Sequence, residues 1–200
     1  LNAIVPVYFD YASSLCYIAW RIAARLEAEL PVMMSWRPVH MAAHHPGGTP
    51  GDLIGGDTRA KIERVACETG IALRIPERWC DSRAALEGVM LAEESGCPAA
   101  YHREVFAAVY ERGHDIGDRT VLVRAAVAAG LPLGRFMEFV ATRRGAPRLA
   151  LIRDEAQRLG VAGYPTFLLG EFPLTGIQPF ETMKLLVARH IERSSGQVPQ

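Results

Sequence analysis
Ser13 and Cys16 stand about one helical turn apart, where an apolar run ends and a helical pattern begins, in VPVYFDYASSLCYIAW. At a helix entrance, backbone N–H groups and the helix dipole stabilise an anion, a thiolate included. Two cysteines at this spacing would form a reversible disulfide, the exposed first thiolate attacking and the second resolving. The first position here is Ser13, so no 13–16 disulfide can form. Its hydroxyl can instead donate a hydrogen bond to a bound thiolate, such as that of glutathione. The same residues also fit a plainer assignment, with Ser13 as helix cap and Cys16 as core.

A second candidate is Pro165 in GYPTF. A proline that opens a strand forfeits a ladder donor. One reason to place it there is a cis peptide beside a thiol site, with the Tyr164 backbone left to pair with an extended peptide or a tripeptide. An edge strand starting after a turn is the alternative. His40, His44 and His45 precede a Gly/Pro-rich loop, but no carboxylate or thiol spacing completes a metal site, so no metal is expected. Asp115 and Asp118 fit helix capping. PGGTPGDLIGG lacks the strand context and the Gly-Lys-Ser/Thr of a phosphate loop. Trp20, Trp36 and Trp79 are candidates for an apolar pocket, with Trp36 equally at home in the core.

The elements that must position these residues follow from periodicity. IVPVYF reads as a strand, and Ile18, Ile22, Leu26 and Leu30 repeat along one helical face until Pro31. VMMSWRPV, at 32–39, reads as a second strand, giving β-α-β with the Ser13/Cys16 pair at the helix entrance. Helical patterns then cover about 58–70, 82–95, 98–113, 118–129 and 134–142, followed by RLALIRDEAQRLG. YPTFLLG, a turn at Gly170–Pro173, a short strand to Gly176 and the helix FETMKLLVARHIE make a β-β-α ending, before a loose SSGQVPQ tail. The pattern is a small mixed α/β sheet with a helical insertion.

The chain has 200 residues, half of them apolar, with 22 basic and 22 acidic side chains. That neutral balance argues against nucleic acid and anionic membranes as partners, and no apolar window reaches a membrane span. Cys16, Cys67, Cys80 and Cys97 are spaced too widely for a disulfide framework, which predicts a reducing, cytoplasmic compartment. Cys67, Cys80 and Cys97 receive no chemistry.

Taken in order, FDYASSLCYIAW, SWRPV, VFAAVYERGHDIGDRTVL, LGVAGYPTFLLG and LTGIQPFETMKLLV resemble the DsbA-like thioredoxin-fold family, in its cytoplasmic branch related to polyketide-biosynthesis oxidoreductases. The chain is also similar to 2-hydroxychromene-2-carboxylate isomerases and kappa-class glutathione transferases. The resemblance implies a thioredoxin-like fold (βαβ…ββα), formed by residues 1–57 and 146–200, with a large all-helical insertion at 58–145. It implies glutathione as cofactor, Ser13 and Cys16 as catalytic residues, and Ser14, Tyr164, Pro165 and Thr166 as its contacts. Ser13 stands where those transferases and isomerases carry a serine that assists the glutathione thiol, although Ser14 and Leu15 replace the Pro-Tyr that follows it there. In the oxidoreductase branch Cys16 would be a resolving cysteine without its partner. Three functions are therefore expected to compete: glutathione-dependent transfer or isomerisation, single-thiol exchange through Cys16, and non-catalytic binding of a peptide or thiol. The expected partner is a small thiol or electrophile, and a homodimer is compatible with the resemblance.

Overall fold
A computed structural model describes residues 2–41 and 49–196. His44 and His45 lie outside the described residues, as does much of the Gly/Pro-rich loop. The first strand, β1 (Ala3–Phe9), leads into helix α1 (Ser14–Glu29) and strand β2 (Val32–Pro38). Six helices follow: α2 (Gly56–Thr69), α3 (Arg83–Glu94), α4 (Pro98–Tyr110), α5 (Arg119–Ala128), α6 (Leu133–Ala141) and α7 (Ala146–Arg158). Strands β3 (Thr166–Leu169) and β4 (Phe172–Thr175) and helix α8 (Phe180–Gly196) complete the chain.

The sheet order is β2-β1-β3-β4, with β1 parallel to β2 and the other neighbours antiparallel. This is the βαβ…ββα arrangement of a thioredoxin-like fold. Gly130 and Gly160, at φ 96° and 71°, stop α5 and α7 in the left-handed conformation that a side chain disfavours. The β3–β4 turn is tighter than the sequence suggests, because Pro173 pairs opposite Leu168 inside β4. An edge strand tolerates that proline, since one side of its ladder is unpaired. Helix α8 also runs further than the FETMKLLVARHIE pattern.

Two apolar clusters hold the fold. Val5, Val7, Ile18, Ile22, Leu26, Phe167, Met183 and Val187 pack one sheet face against α1 and α8. The larger cluster joins Phe9, Tyr11, Cys16 and Tyr17 to Leu86, Val89, Phe106, Tyr110 and Phe136 of the helical segment. The C-terminal end of β1 and the first turn of α1 therefore lie where the sheet meets that segment. Among the described residues, no helix is long and apolar enough to cross a membrane.

Candidate functional site
The turn from β1 to α1 is built on Asp10. Its Oδ1 accepts the Ala12 N–H at 2.8 Å, and its Oδ2 accepts the Met41 N–H, which ties the end of β2 to the same carboxylate. Asp10 is fully buried. Burial raises its carboxyl above the ordinary range, opposed by the neighbouring Ser82 hydroxyl, the two backbone N–H groups and His40. Ser82 Oγ stands beside Asp10 without closing a hydrogen bond.

Ser13 is the N-cap of α1, with extended backbone (φ −89°, ψ 114°) and an Oγ that accepts the Cys16 N–H at 3.4 Å. No acidic residue occupies the first turn, so the positive end of the helix dipole is uncompensated within the helix. Ser14 is the first helical residue, and its buried Oγ faces Tyr110 without closing a hydrogen bond. Cys16 is 0% exposed, whereas Ser13 keeps 6%. Burial pushes the Cys16 thiol up to about 12, against the opposing pull of the Ser13 hydroxyl and the Asp10 backbone; the Asp10 charge adds to the rise. A thiol so placed is protonated near neutrality and has almost no path to a substrate.

The opposite wall comes from the segment before β3. The Tyr164–Pro165 peptide is cis. β1 and β3 pair Val7 with Phe167 and Tyr8 with Thr166, so continuing this register puts Pro165 opposite Phe9 and Tyr164 beside Asp10. Tyr164 agrees with that placement: its phenol is pushed up to about 12 by burial, then by the charges of Asp10 and Cys16. Thr166 faces elsewhere. Its hydroxyl donates to the Gly163 carbonyl at 2.7 Å and shares a 2.9 Å hydrogen bond with Thr175 Oγ1, so it braces the hairpin. The Pro165 carbonyl accepts the Gly176 N–H at 2.8 Å. Ser13, Ser14, Cys16, Tyr164 and Pro165 thus gather at the sheet end, with the Thr166 hydroxyl turned away.

The sequence matches the description "DSBA-like thioredoxin domain" over residues 4–188. The chain belongs to the DSBA-like thioredoxin domain family. Solved structures share its fold, three of them as follows. A probable DsbA oxidoreductase from Streptomyces coelicolor superposes with a TM-score of 0.81 at 20% identity, covering 100% of this chain and 93% of its own. A 2-hydroxychromene-2-carboxylate isomerase gives 0.80 at 21% identity, covering 98% of this chain and 100% of its own. The cytosolic disulfide reductase DsbM from Pseudomonas aeruginosa, solved with GSH, gives 0.65 at 20% identity and 98% coverage of both chains. At these identities the likeness speaks for the fold.

Within this DSBA-like domain, several groups at the site escaped the sequence reading. Cys80 is buried, and its thiol is raised by burial and by the charges of Asp10 and Asp115. Tyr110 donates to the Tyr11 carbonyl at 2.8 Å and is itself raised by burial, then by Cys80 and Cys16. Asp10, Cys16, Cys80, Ser82, Tyr110 and Tyr164 therefore converge from four stretches of chain. Of the four that the sequence reading missed, Asp10, Cys80, Ser82 and Tyr110, only Asp10, directly after a strand and before the Ser13/Cys16 turn, carried a local signal. Trp20 and Trp36 belong to the aromatic core, edge-on or tilted against Phe106, Phe9 and His102. Trp79 lines a cavity of about 570 Å³ that Cys80 also borders. Among the described residues, no group of three His, Cys, Asp or Glu side chains could hold a metal ion.

Proposed function
We propose that this DSBA-like protein is a glutathione-dependent transferase or isomerase, in which Ser13 replaces the attacking cysteine of a dithiol site. One observation carries the reading: the single thiol of the 13–16 pair is wholly buried and pushed up to about 12, while the first position, 6% exposed, holds a hydroxyl. A nucleophilic sulfur at this position has to come from outside the chain. Glutathione supplies such a thiol, for transfer to an electrophile or for addition and release during isomerisation. The α1 entrance fits a thiolate through its dipole, the Ser13 hydroxyl and an acid-free first turn.

In this reading Ser13 donates a hydrogen bond to the bound sulfur, and Tyr164 and Pro165 line the wall facing it. Ser14 lies beneath, and Cys16 supports the helix from the core. The Pseudomonas disulfide reductase solved with GSH supports glutathione as the thiol, and the isomerase of the same fold supports carbon electrophiles. Exchange through Cys16 would require the core to open around a sulfur with no exposed surface, which weighs against the single-thiol alternative.

Calorimetric titration with glutathione, paired with turnover of an electrophilic aromatic substrate, tests the proposal. Saturable binding with turnover is expected. Binding without turnover would leave a non-catalytic thiol-binding protein. Ultraviolet titration of the bound thiolate should show a higher glutathione pKa in Ser13→Ala; an unchanged value would remove Ser13 from the mechanism.

A further inference from the structure
The segment from Cys80 to Arg83 presents alternate side chains in two directions. Cys80 and Ser82 approach Asp10, as described above. Asp81 and Arg83 instead line cavities on the helical side of the molecule. One cavity, about 190 Å³, is bounded by His40, Arg83, Arg143, Arg153 and the first turns of α7. The other, about 210 Å³, is lined largely by apolar groups that include Leu122, Val123, Phe136, Met137 and Val140. Arg83 lines both.

We infer that these adjoining cavities form a binding site for a small carboxylate with an apolar body. Its head would sit among the arginines, and its single ring or short chain would lie beside Leu122 and Phe136. Unspent donors support the head, although each arginine also has a carboxylate within 4 Å. Arg143 spends Nε and Nη2 on Glu87, and Arg153 spends the same two groups on Asp154. Among the described residues, the Nη1 groups of both carry no hydrogen bond. The nearest carboxylate contact of Arg83 is 3.7 Å from Asp81, longer than a hydrogen bond, so its side-chain donors also remain available. His40 Nε2 is buried without a hydrogen-bond partner, 3.9 Å from Asp81. Helix α7, 13 residues long, begins in this cavity at Ala146 with no side-chain cap, so its dipole adds positive potential.

The apolar cavity supports the body. A dry cavity of about 150 Å³ is enough to hold a benzene ring, and the second cavity exceeds that volume. Arg83 lines both spaces, and only together do they reach the roughly 300 Å³ at which small-molecule sites begin, so the ligand must span both. Arg83 offers the paired donors that match a planar two-oxygen head, and Arg143 and Arg153 each add a single Nη1.

Cinnamate is a suitable probe, with cinnamamide as its neutral counterpart and acetate as the head without the body. Calorimetric titration of the full chain without glutathione should show one saturable cinnamate site. Arg83→Gln should weaken it by about tenfold or more, the loss expected for a charge-assisted hydrogen bond. Val123→Phe, which fills the apolar cavity, should weaken cinnamate and leave acetate unaffected. Thermal unfolding of each variant checks that the fold survives, and Arg153→Gln provides a second, exposed test of the head. Equal binding of cinnamate and cinnamamide, acetate binding as tightly as cinnamate, or unchanged affinity in both arginine variants would each overturn the site. Because glutathione is absent, failure here leaves the proposed thiol chemistry standing, and failure of that chemistry leaves this site standing.

Discussion
A thiol exposed to water ionises partly near pH 8, but Cys16 lies in the first turn of α1 with none of its surface exposed and is pushed up to about 12 by that burial. At pH 8 such a group is thiolate in about one molecule in ten thousand. Iodoacetamide at that pH should therefore modify exposed Cys67 in the folded protein and spare Cys16, with both modified in urea. Peptide mass spectrometry gives the comparison; folded-state labelling of Cys16 as fast as Cys67 would remove it from the core. His102 offers a second test at this scale. Its ring is buried and shares a 2.7 Å hydrogen bond with the Tyr11 hydroxyl, and burial lowers its pKa from 6.5 to about 3. Below pH 6.5 the unfolded chain takes up a proton that the folded chain refuses. Stability contributed by neutral His102 is thus complete above that pH and is lost progressively as the pH falls towards 3. The slope approaches about 1.4 kcal/mol per pH unit. Urea unfolding at successive pH values should show a shallower acid loss in His102→Gln than in the parent chain. Parallel slopes would mean that this imidazole is protonated in the fold.

At the scale of elements, the joint between α6 and α7 depends on a close approach. Gly145, the N-cap of α7, has an ordinary φ of −78°, so its requirement is steric. A Cβ there would come within 2.7 Å of the Glu87 carbonyl oxygen and 2.9 Å of its Cα, both backbone atoms of α3 that cannot rotate away. Gly145→Ala should cost about 1–3 kcal/mol, read by chemical unfolding, whereas Gly134→Ala on α6 meets no atom within 4 Å and serves as the tolerant control. The helix patterns that lead to this joint were legible, because an apolar stripe and a stopping Gly130 or Gly160 are local properties of the chain. The βαβ unit and the ββα ending were legible for the same reason, and the family motifs placed Ser13 and Pro165 at the ends of their elements. Cys80, Ser82 and Tyr110 were not. They reach Asp10 only after the helical segment folds back on the sheet, and a separation of this length leaves no periodic or capping signal. Thr166, named through the resemblance, sits opposite Thr175 in the hairpin, and its hydroxyl bonds that partner, a cross-strand pairing that the sequence around Pro165 does not show.

Across the whole molecule, the helical segment and the sheet share one aromatic interior. Phe106 of α4 lies 4.8 Å from Tyr11, 5.5 Å from Trp20 and 6.0 Å from both Phe9 and Tyr17, measured between ring centroids. These partners belong to β1, α1 and the turn that carries the candidate site. Truncating Phe106 would remove contacts on both sides of the boundary at once, so the segment should not melt as an independent unit. Phe106→Ala is expected to lose about 3–5 kcal/mol. Helical circular dichroism should still fall together with fluorescence from Trp20, Trp36 and Trp79, which all pack against this cluster. Phe106→Leu, a smaller truncation, extends the measurement if the alanine variant does not fold. Two separated transitions in either the parent or the leucine variant would divide the chain into independent cores. A single transition would instead make the geometry around Ser13 depend on the packing of α4, because the helix that carries Phe106 and Tyr110 would then also hold the β1–α1 turn in place.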